Sequence, residues 1–97
     1  MNINITGQNI DISAEMKNHI NKEIQKMQQY FDNFTSANVT INEEKLNYKA
    51  NMTVQVPGNT LRASSNATDI RTSIDQLFNK IYQQVKKHKE KLLDKHR

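Results

Sequence analysis

Cysteine is absent from the 97-residue chain, which excludes disulfides, zinc–thiolate centres and thiol chemistry. Only two glycines occur, Gly7 and Gly58, and there is no glycine-rich phosphate loop. The three histidines, His19, His88 and His96, lack metal-ligand spacing. No apolar run approaches the ~18 residues of a membrane-spanning helix, so no membrane association is expected. Residues 1–6 alternate apolar with polar, without the charged lead and apolar block of a signal peptide, and a cytoplasmic protein is the expectation. Glu43 and Glu44 are adjacent on what reads as a polar turn, so they point apart and make no acid/base pair. Ser64 and Ser65 have no evident histidine partner. These absences argue against an enzyme and against a cofactor.

The length allows one domain, residues 1–97. Apolar residues make up 35%, enough for one small core between two layers, and chains of this size bury ~60–70% of their unfolded surface. The charged fraction of 25%, with regular apolar spacing, argues against disorder. The net charge of +4 is unevenly placed. Residues 1–79 carry seven basic and eight acidic side chains. Residues 80–97 carry Lys80, Lys86, Lys87, Lys89, Lys91, Lys95 and Arg97 against Glu90 and Asp94. Such a block points to a polyanionic partner, nucleic acid before anionic lipid. The plainer alternative is a solvated helix end whose cations complement the helix dipole.

Residues 2–6 read as a short strand closed by Gly7, with Ile3 and Ile5 on one side. Ser13 caps a helix whose apolar positions Met16, Ile20, Ile24, Met27 and Phe31 recur at three- and four-residue spacing, and Asp32 and Asn33 end it. Period two returns at Ala37, Val39 and Ile41, followed by a turn at Glu43–Lys45. A long strand runs from Leu46 to Val56, Pro57-Gly58-Asn59 signals a turn, and Leu61 to Ala67 alternates again. Thr68 caps a last helix with Asp69 in its first turn and a stripe of Ile70, Ile74, Leu77, Phe78, Ile81, Val85 and Leu92. The expected fold is α+β, in the order β-α-β-β-β-α. Strictly alternating strands have one dry and one wet face, so both helices lie on one face of a four-stranded, mostly antiparallel sheet. The helices follow strands that run the same way, so they are parallel to each other.

At about 100° per residue, Lys80, Lys87 and Lys91 share one margin of the last helix's stripe, with Lys86 and Lys89 on the other side. Lys22 and Lys26, four apart, fall at the corresponding margin of the first helix. Two parallel rows of flexible point charges suit phosphates. Taken alone, Lys22 and Lys26 read equally well as solvation of an amphipathic helix. His88 reads as a half-buried flank residue, and Tyr30 and Phe31 as core. Tyr82 reads as cover for the sheet edge, with base stacking as the alternative. Arg62 reads as a solvated residue on the wet face.

Several segments resemble one family: Asn4-Ile5-Thr6-Gly7, Gln29-Tyr30-Phe31-Asp32, Glu44-Lys45, the run from Ala67 to Leu77, and Lys87-His88-Lys89-Glu90-Lys91. Together, and in order over the whole chain, they are similar to the ribosome hibernation-promoting factors, which include the ribosome-associated inhibitor protein Y. The resemblance implies a domain similar to double-stranded RNA-binding domains. It implies binding to the small ribosomal subunit, in the channel where mRNA and tRNA lie, with translation blocked in stationary phase or stress. It implies contacts to 16S-type rRNA, beside neighbouring ribosomal proteins, through Lys22, Lys26, Lys80, Lys87, Lys89 and Lys91, with Lys86 as a further candidate. The chain ends just after the last helix, as in the short form of the family, which promotes ribosome pairing with a separate ribosome modulation factor. Off the ribosome it is expected to be a monomer. Gln83 stands where relatives are expected to carry Arg, which puts one phosphate contact in question. Two other readings compete: a double-stranded RNA-binding module acting away from ribosomes, and a protein adapter using the polar sheet face.

Overall fold

The computed structural model describes residues 2–31 and 33–94, without the side chains of 92–94. The expectations on Asp32, Leu92, Lys95, His96 and Arg97 lie outside the described residues. The elements are β1 (Asn2–Gln8), α1 (Ala14–Tyr30), β2 (Ser36–Glu44), β3 (Asn47–Val56), β4 (Asn59–Ala67) and α2 (Ile70–Asp94). The sheet order is β1-β2-β3-β4, with β1 parallel to β2 and both later pairs antiparallel. This is the expected α+β order and sheet.

Alternation decides the layering. Ala37, Val39 and Ile41 of β2, Ala50, Met52, Val54 and Val56 of β3, and Leu61 of β4 are buried on one face. They meet Ile20, Ile24 and Met27 of α1 and Ile74, Leu77, Phe78, Ile81 and Val85 of α2. Both helices therefore lie on that face. The helices are parallel: His19 faces Asp75 near their starts, and Tyr30 faces Tyr82 and Lys89 further along.

The element ends differ from the sequence reading for local reasons. Gly7 lies inside β1 rather than closing it, and glycine is required there because a Cβ would collide with the Ile10 carbonyl of the returning chain. Glu43 and Glu44 belong to β2, and the hairpin turns on Lys45 and Leu46, since Glu44 pairs with Asn47. Leu46 is therefore not strand core but 85% exposed at the tip. Ile3 is on the helix side yet partly uncovered, because β1 is the edge strand and the helix layer stops short of it. Asp69, not Thr68, caps α2: its carboxylate accepts from the Thr72 N–H at 2.9 Å and its carbonyl from the Ser73 N–H at 3.0 Å. The Thr72 N–H and hydroxyl hold the Asp69 carboxyl below its ordinary range. Ser13 caps α1 as expected, accepting from the Met16 N–H at 3.1 Å.

Two buried hydroxyls pin the start of α2 to the sheet. Ser73 donates to the Tyr48 carbonyl of β3 at 2.9 Å, and Ser65 of β4 donates to the Ser73 carbonyl at 2.6 Å. At about 1.5 Å rise per residue, α2 is roughly 37 Å long, most of the molecule's 49 Å long axis.

Candidate nucleic-acid interface

What surrounds each lysine of α2 decides what it does. Lys80 donates from Nζ to the Ser64 carbonyl at 2.8 Å, which seats that side of the helix over the outer edge of β4. Two turns on, Lys87 shares with Lys80 a shallow notch of about 440 Å³, walled also by Arg62, Gln83 and Gln84. Lys91 follows beside Lys87, His88 and Asn59. Lys80, Lys87 and Lys91 thus form one exposed row along the β4 margin, as their spacing predicts. Lys86 stands on the solvent side with Gln83 and Glu90. Gln83 therefore puts an amide between Lys80, Lys86 and Lys87.

Lys89 differs from the expectation of an exposed contact. It is half-buried on the opposite side of α2, where Nζ donates to the Tyr30 carbonyl at 2.9 Å. The same ammonium lies 4.3 Å from the centroid of the Tyr30 ring. Tyr30 is the last residue of α1, which has no basic residue in its own last turn. Lys89 supplies that missing cation from the neighbouring helix.

Lys22 and Lys26 are exposed on α1. Lys26 pairs with Glu23 at 3.3 Å, an exposed i,i+3 pair of small energetic value. Lys22 lines a hollow with Ile3, Asn18 and Gln25 beside β1. The side of α1 that faces α2 is occupied instead by His19 and Tyr30. Lys22 and the α2 row therefore flank the helix pair from opposite sides, not at corresponding margins as expected.

Arg62, expected as a solvated residue on the wet face, joins the α2 row. Its main chain is held at both ends by one side chain: Gln84 accepts from the Arg62 N–H at 3.3 Å and donates to the Arg62 carbonyl. This places an exposed guanidinium beside Lys80 and Lys87. Alternation alone gives no hint of it, because nothing in a period-two pattern says which helix face lies across the strand edge. Tyr82 covers no sheet edge. It packs on Tyr30 between the helices, centroids 5.2 Å apart. His88 is a half-buried flank residue as read, edge-on to Phe31 at 5.6 Å.

The two ends of the long axis differ in charge: one mixes carboxylates with Lys17, Lys45, Lys49 and Arg71, and the other is mainly basic. β1, β2 and β4 run the same way, so their ends share one pole with both helix N-termini. Asp11, Glu15, Glu43, Glu44, Asp69 and Asp75 follow or precede those ends. Lys86 to Lys91 lie toward the helix C-termini. Among the described residues no three His, Asp or Glu gather as metal ligands. No helix among them is long and apolar enough to cross a membrane.

Comparison with known proteins agrees with this geometry. Residues 3–93 match the family model described as sigma 54 modulation protein / S30EA ribosomal protein. The ribosome hibernation promoting factor of Escherichia coli is 34% identical over 92 residues, covering 95% of this chain and 97% of that one. The protein of the same name from Pseudomonas putida is 33% identical over 91 residues, covering 94% and 89%. A ribosomal subunit interface protein from Coxiella burnetii superposes with a TM-score of 0.87 at 28% identity, covering 93% of this chain and 99% of that one. The protein Y N-terminal domain of Thermus thermophilus shares the fold, with a TM-score of 0.82 at 24% identity over 91% and 99% of the chains. A basic helix pair on a four-stranded sheet, with this agreement over nearly the whole length, makes the chain a member of the ribosome hibernation-promoting factor family.

Proposed function

We propose that this chain binds the small ribosomal subunit in the mRNA/tRNA channel and blocks translation by filling it. The observation that carries the reading is the exposed row Lys80, Lys87 and Lys91 along the β4 margin, joined there by Arg62. Lys86, Lys22 and Lys26 extend the positive surface, and Lys89 holds the two helices together beneath it. Flexible ammonium groups read backbone charge rather than base sequence, so the recognition is of rRNA shape and phosphate. The action is steric, needing no turnover and no cofactor. It takes place in the cytoplasm, on idle ribosomes, with a ribosome modulation factor as the partner in ribosome pairing. Off the ribosome the chain is a monomer.

Sucrose-gradient profiles of stationary-phase ribosomes, with and without the protein, test this reading. The protein is expected to cosediment with small subunits and to raise the share of inactive, paired ribosomes. Free A-form duplex is expected to compete poorly. Efficient displacement by any long duplex would favour a general double-stranded RNA-binding module instead. Each phosphate contact releases counterion, so occupancy falls steeply as salt rises.

A further inference from the structure

The sheet face turned away from the helices is almost wholly amide and hydroxyl. Among the described residues its one carboxylate is Glu44, at the hairpin tip, and its two cations are Lys49 and Arg62. Asn4 and Asn38 bridge β1 and β2 across it at 3.0 Å. It carries no aromatic ring, so it does not stack bases as sheet-surface RNA binders do. Its chemistry is donors and acceptors for sugar hydroxyls and phosphate oxygens, with net positive charge.

This face is continuous with the α2 row. The notch at the β4 margin is walled by Arg62, Ser64, Lys80 and Lys87. A second hollow of about 380 Å³, on the sheet side, shares Arg62 and Ser64 and adds Asn51 and Thr53. Arg62 is thus the corner post between two surfaces. Gln84 and Lys80 occupy main-chain groups of Arg62 and Ser64, so this stretch of edge is closed to an added strand. What it offers a partner is side chains: a guanidinium that grips phosphate with two N–H groups, and two ammonium charges beside it.

We infer that the β4 edge is a phosphate seat at which an RNA strand turns from α2 onto the amide face of the sheet. The domain is then held by RNA on two faces rather than one. This rests on the proposed ribosomal role and adds a surface to it.

The cysteine-free chain allows single-cysteine variants carrying a benzophenone photo-crosslinker, bound to small subunits. Gln83→Cys reports the helix side and Asn51→Cys the sheet side. Both are expected to crosslink rRNA. If Gln83→Cys reaches rRNA while Asn51→Cys reaches nothing, or reaches only ribosomal protein, the sheet-face inference falls and the ribosomal role stands. If the wild type itself fails to bind small subunits, both fall. A second pair of variants reads the seat directly. Thr53 is the cross-strand neighbour of Arg62, so Thr53→Glu supplies the guanidinium with an internal counter-ion without touching α2. Thr53→Glu and Arg62→Gln are each expected to weaken small-subunit binding by about tenfold and to lower the salt slope by about one. Circular dichroism checks that both remain folded. Unchanged affinity and slope in both would overturn the inference.

Discussion

Lys89 separates a lysine that holds the fold from lysines that are free to bind. Lys89→Met keeps the aliphatic stem and removes the ammonium. The loss is one charge-assisted hydrogen bond to the Tyr30 carbonyl and one cation–ring contact. A net hydrogen bond contributes ~0.5–1.5 kcal/mol and an exposed cation–ring contact ~0.5–1 kcal/mol. The two share one partly solvated ammonium, so about 1–2 kcal/mol of stability is expected to go. In a domain of this size that is a Tm decrease of roughly 5–15 °C. Lys87→Met, two residues away on the exposed row, is expected to stay within about 0.5 kcal/mol of wild type. Thermal and urea denaturation of the two variants measure this. Small-subunit binding across a salt series should show the reverse pattern, with the slope lowered by about one for Lys87→Met and little changed for Lys89→Met. A Lys89→Met protein as stable as wild type, or one whose salt slope falls as far as that of Lys87→Met, would refute the division.

Ile81 is fully buried between α2 and the sheet, so Ile81→Asp puts an unpaired charge in the core and is expected to unfold the protein, read by loss of the circular dichroism melting transition. Ser73→Ala leaves the half-buried Tyr48 carbonyl without this donor and is expected to cost ~1–3 kcal/mol in urea denaturation. The depressed Asp69 carboxyl contributes stability that is present above its ordinary value of 3.8 and is lost as pH falls through the lower folded value. Asp69→Asn keeps a capping oxygen without the titration, so the acid limb of the Tm–pH curve should be shallower than in wild type; identical limbs would remove Asp69 from the account. Glu43→Gln raises net charge at the pole opposite Lys87–Lys91 and lies off the amide face of the sheet. The Debye length of ~8 Å at physiological salt is short against the 49 Å long axis, so ribosome affinity and its salt slope should not change.

The elements were legible wherever one side of a segment had to be dry. Met16 to Phe31 at helical spacing, and the alternation through Ala50 to Val56, each admit one facing, and the structure adopts it. The errors cluster where local backbone chemistry, not periodicity, sets the end. Lys45 turns with φ of 54°, a conformation that glycine or asparagine normally signals, so sequence alone places the hairpin turn too early. Thr68 and Asp69 are both good caps, and only the hydrogen bonds to Thr72 choose between them. In the candidate site, the α2 row was legible because Lys80, Lys87 and Lys91 fall on one arc. Arg62 was not, because its role depends on a helix 22 residues later in the chain laying Gln84 against it. Spacing alone leaves Lys89 exposed because its partner, a carbonyl at the end of another helix, leaves no trace in composition or spacing.

The circumference of α2 accounts for this division of labour. One arc carries Ile74, Leu77, Ile81 and Val85 into the core. The arc toward α1 carries Asp75, Tyr82 and Lys89, which meet His19 and Tyr30. The arc toward β4 carries Lys80 and Gln84, which close the sheet edge, and then Lys87 and Lys91 beyond them. Only the last arc and the solvent side leave charge for a partner. A helix of 3.6 residues per turn cannot place all five lysines from Lys80 to Lys91 on one face. Some must turn inward against a neighbour, and the neighbour then decides their chemistry. The cations available to RNA are therefore fewer than the composition implies, and Arg62, carried by a different element, restores one at the place where the row meets the sheet.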